Sequence, residues 1–389
     1  MTQDKRRSPV LASLFVLLVA ALFGLPFLRL APNRLVSGEA VYLSSIAQCT
    51  FWLLLAALSA AVLIALINPR RLWLGLVLAL SAALIPGLLW LAASYATLTM
   101  QGSASIARTS FGSAFWLGIV LLVFMTSTAL QQLRVTALQQ AAVGASVLLA
   151  LVTLLISGAG NDLSLLKEYA SRSGDMAVLV IRHVQIVLLA LAFTVCIGLP
   201  LGWLAHTHAK TGRALLPVLN IIQTIPSIAL FGLLMAPLSL LASSLPALGR
   251  AGIGGVGLAP AVIALTLYGL LPVVRGVLAG LQQVSAPLRS AATALGLKPH
   301  QVLISIELPL ALPVLLGGIR TAAVACVGLA AVTALIGAGG LGSMLFEGLF
   351  SNAQDLVLLG VLPIIALGML VGALFELLIG WARSGAHSC

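Results

Sequence analysis

The chain has 389 residues, of which 61% are hydrophobic and only 7% charged, with a formal net charge of +11. Soluble domains carry about a quarter charged residues, so this composition excludes one, and recurring apolar runs of about 18 residues or more indicate an all-α polytopic membrane protein. The positive charges lie mostly in short connectors, with no basic run longer than Lys5-Arg6-Arg7, which argues against nucleic acid as a partner and for charges that orient membrane spans.

Lys5, Arg6 and Arg7 precede a first apolar run that begins at Val10. The run is about 20 residues long and no A-x-A site follows it, so it reads as an uncleaved span over 10–30 rather than a signal peptide. Further spans are predicted over 50–67, 72–96, 113–130 and 138–157. A polar connector follows, "GAGNDLSLLKEYASRSGD" at 158–175. Spans over 178–205, 214–236, 258–280, 311–336 and 356–381 bring the set to about ten. Helices are the expected solution because each satisfies its own backbone hydrogen bonds in lipid. The division is an N-terminal five-span extension over 1–157, an extracytoplasmic connector over 158–177, and a core over 178–389 with a cytoplasmic loop at 282–310.

Orientation follows from the connectors. One side receives Lys5, Arg6, Arg7, Arg70, Arg71, Arg134, Lys210, Arg213, Arg289, Lys298 and Arg383. The other receives Arg34, Arg108, Lys167, Arg172 and Arg250, with the acids Glu39, Asp162, Glu168, Asp175, Glu347 and Asp355. This bias places both termini in the cytoplasm. Arg275 and Arg320 fall a turn or two inside the inner boundary, where two roles fit them: snorkelling to headgroups, or pairing near the loop at 282–310.

Enzyme chemistry finds no foothold. Cys49, Cys196, Cys326 and Cys389 are scattered, with neither metal-ligand spacing nor a disulfide framework, so no metal and no cofactor are expected. His206 and His208 do not face one point on a helix, and no G-x-S-x-G or H-E-x-x-H occurs. Transport is the better class. Glu376 is the one clear carboxylate in a span, and no G-x-x-x-x-G-K-[ST] loop is present. If the chain moves solute uphill, another subunit supplies the energy. The alternative is an ion-gradient-driven secondary transporter of the betaine-symporter kind, built as a five-plus-five inverted repeat.

The stretch "SAATALGLKPHQVLISIELP" at 290–309 offers a docking element. Ser285 can cap a helix that carries Pro287 in its first turn and continues through Leu295. Gly296 stops it, and Pro299 opens a second helix to about Glu307, with Pro309 closing the segment. Leu288, Ala292 and Leu295 share one face. An interfacial helix pair resting on lipid headgroups fits the same pattern.

This stretch resembles the signature of permease subunits of ATP-binding-cassette importers: E-A-A, three residues, G, nine residues, I, one residue, L-P. Ala291, Ala292, Gly296, Ile306, Leu308 and Pro309 match at that spacing, and Ser290 stands in place of the Glu. From about 178 to 380 the chain is similar to permeases of osmoprotectant importers, through "NIIQTIPSIALFGLL" (220–234), "LYGLLPVVRG" (267–276), "ELPLALPVLLGGIRTA" (307–322) and "LIGAGGLGSMLFEGL" (335–349). The extra spans before 157 look like the long-permease branch of that group.

The resemblance implies a five-helix core of the type I importer permeases, in a bacterial cytoplasmic membrane. It implies coupling to a cytoplasmic ATPase through Ser290, Ala291, Ala292, Gly296, Leu297, Ile306, Leu308 and Pro309. It also implies an extracytoplasmic solute-binding protein, a second permease subunit (the same chain or a different one), and a solute such as glycine betaine or a related quaternary amine. Gln223, Thr224, Pro226 and Ser227 are candidates to line the solute path, although they equally fit the repair of a proline kink. Gly337, Gly339 and Gly340 are candidates for an outer gate or docking surface. No cluster of Trp or Tyr in the core half forms an aromatic cage, so selectivity is expected mainly in the binding protein.

Overall fold

The computed structural model describes residues 9–33, 36, 38–68, 70–100, 107–250 and 252–386. Lys5, Arg6, Arg7, Arg34, His387 and Cys389 lie outside the described residues. The chain forms two compact units, Met1–Ser171 and Arg172–Cys389. Among the described residues nine helices are long and apolar enough to cross a membrane, and Pro9–Gly24 is a shorter apolar helix.

The first unit begins with α1 (Pro9–Gly24), followed by β1 (Leu28–Ala31), β2 (Glu39–Val41) and α2 (Leu43–Ile46). Three apolar helices come next in sequence, with a third strand between the second and third: α3 (Cys49–Ile67), α4 (Arg71–Met100), β3 (Arg108–Phe111) and α5 (Ser113–Leu133). The last helix wholly within the unit is α6 (Ala137–Ile156). The sheet is antiparallel in the order β2-β1-β3. It is a small addition to the expected all-helical architecture, and it corrects one expectation: the first span does not reach residue 30. The physical reason lies in Gly24 and Pro26, which end the helix, after which Leu28–Ala31 satisfies its backbone by strand pairing.

The core of this unit is packed from Leu11, Leu18, Leu22, Leu58, Leu88 and Leu122, with Phe27 set edge-on to Phe115 at 5.9 Å. A buried Thr126 hydroxyl donates to Ser81 Oγ at 3.0 Å and so links α5 to α4. Helix α6 fully buries none of its side chains within the unit, and Val147 and Leu151 pack half-buried against the core. Its Thr136–Gln139 capping box closes the first turn.

Helix α7 (Ser164–Thr207) has 44 residues. At 1.5 Å per residue that is about 66 Å, well over the thickness of a bilayer core. The span expected from 178 thus starts earlier, and most of the connector is helix. Between Leu163 and Ser173 there is no Gly or Pro to stop it.

The second unit continues with α8 (Ala209–Thr224), α9 (Ser227–Ser244), α10 (Pro246–Arg250) and α11 (Leu258–Gln282). After α12 (Ala286–Ala294) and α13 (Pro299–Val302), a π-helical turn (Leu303–Glu307) leads into α14 (Leu308–Leu329). A 3₁₀ turn (Val332–Ile336), α15 (Gly342–Phe350) and α16 (Gln354–Ala386) complete it. The single span expected over 214–236 is broken: Ile225 and Pro226 are extended, with ψ of 127° and 136°. The residue before a proline is disfavoured in the helical region, which accounts for the break.

Helix α11 is buried along most of its length. It crosses α14 at two glycines. A Cβ added to Gly318 would lie 2.6 Å from Pro272 O and 2.9 Å from Gly276 Cα. Such backbone-to-backbone approach is how membrane helices gain packing energy without a hydrophobic drive. Gly317, one residue away, has nothing within 4 Å of its would-be Cβ. The paired substitutions therefore separate crowding from helix propensity. Gly318→Ala is expected to lower the stability of the detergent-solubilised protein by about 1–3 kcal/mol, and Gly317→Ala to leave it unchanged or slightly raised. Thermal unfolding followed by size-exclusion chromatography reads both.

Candidate functional site

The loop between α11 and α14 is built by its own sequence. Ser285 occupies the N-cap of α12 with extended φ and ψ, but its side chain makes no capping hydrogen bond. At the other end Gly296 takes φ +83°. Its N–H donates to Thr293 O at 2.9 Å, and the Leu297 N–H donates to Ala292 O at 3.2 Å. These two bonds are the Schellman closure of a helix. A Cβ on Gly296 would meet nothing within 4 Å, so glycine is favoured there by backbone conformation alone.

Pro299 opens α13, and the Lys298 N–H donates to the Gln301 side chain at 2.8 Å. Pro309 corrects an expectation. It does not end the segment but sits in the first turn of α14, and the helix is continuous from Pro299 to Leu329. The reason is the π turn just before it. The Leu308 N–H reaches back to Leu303 O, widening the ladder where Pro309 has no N–H to offer.

The face expected from Leu288, Ala292 and Leu295 is also corrected. Ala292 is turned inward at 3% exposure, whereas Leu295 is 83% exposed. Leu295 is the C-cap residue, past the last full turn, so helical spacing no longer governs its direction. The outward surface of α12 carries Ser290, Ala291, Ala294 and Leu295, with Leu297 and Ile306 half-buried behind it.

One residue that entered the sequence reading only as a charge holds this loop. Arg289 Nη2 donates to Leu281 O at 2.8 Å and lies 3.3 Å from His206 Nε2. Its Nε lies 2.6 Å from Glu307 Oε1, and the Glu307 side chain is 14% exposed. Arg289 thus ties α12 to the ends of α7 and α11 and to the π turn that starts α14. No sequence spacing announces an Arg–Glu pair across a hinge. The scarcity of acids in a chain with nine Asp and Glu was the available signal.

The residues of the expected solute path lie at the α8–α9 break. Gln223 and Thr224 are exposed, Pro226 is exposed and Ser227 is half-buried. The Gln223 amide donates to Tyr268 O at 2.8 Å, and the Tyr268 hydroxyl donates to Ile225 O. Thr224 Oγ1 donates back to Ile221 O at 2.7 Å. The break is therefore braced against α11, and it leaves a polar, exposed face.

The glycines of the expected gate take φ of +78°, +81° and +83° at Gly337, Gly339 and Gly340. Their loop is tightly turned: Gly337 is exposed and Gly339 half-buried, while Gly340 is buried together with Ala338 at 1% and Leu341 at 0% exposure. Arg182 Nε donates to Ala338 O at 2.9 Å, and a Cβ on Gly340 would lie 3.2 Å from His183 Cα. Arg172 forms an ion pair with Glu347 of α15. The structure keeps this loop and the α12 hinge apart. Gly257, the N-cap of α11, donates to Ile336 O, while α12 follows the other end of a 25-residue helix, about 37 Å away.

The Arg289 anchor predicts coupled energetics. Arg289→Glu and Glu307→Arg are each expected to speed amide hydrogen exchange across 286–298, and the double charge swap to restore protection, with a coupling of about 1–3 kcal/mol. Additive losses in the double variant would show that the pair does not hold the loop.

Comparison with known proteins bears on these geometries. Residues 194–384 match the family described as binding-protein-dependent transport system inner membrane component. Residues 5–166 match the N-terminal domain of ABC transporter permease YehY. The osmoprotectant import permease protein OsmW of Salmonella typhimurium is 38% identical over 199 residues, covering 51% of this chain and 87% of that protein. The glycine betaine/carnitine/choline transport system permease protein OpuCD of Bacillus subtilis is 30% identical, covering 55% of this chain and 85% of its own length. The choline transport system permease protein OpuBD of the same organism is 31% identical, covering 57% and 90%. Among solved structures, an inward-facing MetNI methionine ABC transporter aligns at 22% identity with a TM-score of 0.48, over 55% of this chain and 98% of that one. The expected resemblance thus holds over both parts of the sequence: the chain belongs to the binding-protein-dependent transport system inner membrane components, the permeases of ATP-binding-cassette transporters.

Proposed function

We propose that this permease imports an osmoprotectant, a zwitterionic or quaternary amine, with a separate ATPase docked on the α12 hinge. The observation that carries the reading is that hinge. The signature spacing of Ala291, Ala292, Gly296, Ile306, Leu308 and Pro309 coincides with a closed helix end, a left-handed glycine and a stiff re-entry into α14. A push on α12 is delivered to α7, α11 and α14 through Arg289. Ser290 and Ala291 face outward, where a partner can approach.

The connector charges support a cytoplasmic placement of this hinge and of both termini, in a bacterial inner membrane. The glycine loop then lies on the outer side, where Arg172 and Glu347 offer a surface to a solute-binding protein. A second permease subunit completes the path, since Gln223 and Thr224 are exposed polar groups that a lone chain leaves toward lipid. The names of the relatives supply the solute class. The ion-gradient alternative required the second half to repeat the first in inverted form. The two halves match different family models, and among the described residues strands occur only in the first unit.

Reconstitution in proteoliposomes with the ATPase and binding protein is expected to give ATP-dependent uptake of radiolabelled glycine betaine. Uptake by this chain alone, driven by a sodium or proton gradient, sinks the proposal. The hinge carries its own test. Gly296→Val places a β-branched residue at φ +83° and is expected to cut ATP-driven uptake about 10-fold or more while the protein still inserts. Gly296→Asn, which tolerates that conformation, is expected to keep most of the activity.

A further inference from the structure

Arg275 lies on α11 about two turns from its end at Gln282, and it is exposed. A snorkelling arginine at that position would reach toward the α12 end, where headgroups lie. It reaches the other way. Leu219 of α8 packs among Leu270, Leu271 and Val274, and Gln223 bonds to Tyr268 O. Position 220 is therefore level with about residue 271, roughly one turn farther from Gln282 than Arg275 itself. Arg275 Nη2 donates to Asn220 Oδ1 at 2.7 Å. The guanidinium thus points deeper, along the direction in which helical side chains tilt, to about 16 Å from the end of α11. That is near the middle of a bilayer core about 30 Å thick.

Among the described residues no carboxylate neutralises the charge at that depth. Arg320 pairs with Glu376, and Arg289 with Glu307. Among the described residues Arg275 has no carboxylate within 4 Å. Asn220 takes one of its five N–H donors, and the rest of the fork is open to the exposed face shared with Gln223 and Thr224. A lone guanidinium held in mid-membrane by a neutral amide marks a wet path and a site for an anion. The planar fork suits a carboxylate, which it grips with two parallel hydrogen bonds. The guanidinium repels a bare quaternary ammonium, so the site favours the carboxylate end of a zwitterion.

We propose that Arg275, positioned by Asn220, receives the carboxylate of a zwitterionic solute inside the membrane. This inference rests on the importer reading. It adds that the permease itself discriminates amines that bear a carboxylate, such as glycine betaine, from choline, which bears a hydroxyl. Two measurements keep the inference and the reading apart. The full chain in phosphatidylcholine nanodiscs is titrated with glycine betaine and, separately, with choline, and its thermal unfolding is followed. Glycine betaine is expected to raise the unfolding temperature and choline not to. Arg275→Gln is expected to weaken the glycine betaine response about 10-fold or more, and Arg275→Lys to weaken it less.

An absent glycine betaine response, or one that Arg275→Gln leaves unchanged, overturns the site. So does a stabilisation by added phosphatidylglycerol that Arg275→Gln abolishes while glycine betaine does nothing, because the guanidinium then serves a lipid phosphate. The importer reading is judged separately, by ATP-dependent uptake in the complete assembly. There, Arg275→Gln is expected to depress glycine betaine uptake more than choline uptake. Equal loss of both would assign Arg275 a structural role instead.

Discussion

The backbone contact of Gly276 with Gly318 is what the second unit is built around. It brings α11 and α14 together with no side chain between them, and Gly280 repeats the approach lower down, where a Cβ would lie 2.8 Å from Ala311 O. With those two helices fixed, the ends of the hinge between them are fixed as well. The loop from Val284 to Glu307 must then close the distance, and it does so with two short helices and one left-handed glycine. Helix α7 joins the same stack: a Cβ on its Gly202 would meet Val277 Cβ at 2.6 Å. Rigid contacts of this kind transmit displacement rather than absorb it.

Charge is used as sparingly as space. The chain has nine acidic residues, and in the second unit three of them pair with arginines across element boundaries. Arg172 joins α7 to α15, Arg289 joins α12 to the π turn, and Arg320 joins α14 to α16. Surface pairs are worth little in water. Near or within a bilayer the same pairs are more consequential, because an uncompensated partner has no water to turn to. Arg275 stands apart from this pattern, and its orientation toward Asn220 corrects both roles expected for it, since it neither snorkels toward the α12 end nor pairs near the loop at 282–310.

Much of the fold was legible because a membrane imposes one rule everywhere. Apolar length marked the helices from 49 onward, and Gly296 with Pro299 marked the hinge to the residue. What stayed hidden depended on partners distant in sequence. The strands at Leu28–Ala31 and Arg108–Phe111 pair across about 80 residues, and neither is long enough to alternate visibly. The break at Ile225 was legible only as a kink within one span, because hydropathy averages over Asn220, Gln223, Thr224 and the proline that causes it. Arg289 and Glu307 meet only because the hinge folds back, and the glycine loop looks mobile until Arg182 and His183 are seen against it.

The replacement of the signature Glu by Ser290 can now be weighed. Neighbours at i and i+1 do not face each other on a helix, so a carboxylate at 290 would project away from the Arg289 anchor. It would also lie beyond the first turn of α12, where the helix dipole rewards negative charge little. Neither the hinge closure, made by Thr293, Gly296 and Leu297, nor the anchor, made by Arg289 and Glu307, draws on that position. What Ser290 gives up is an exposed charge on the outward face of α12. The substitution therefore alters the exposed face of α12, and leaves intact the closure and the anchor that fix α12 against α7, α11 and the π turn.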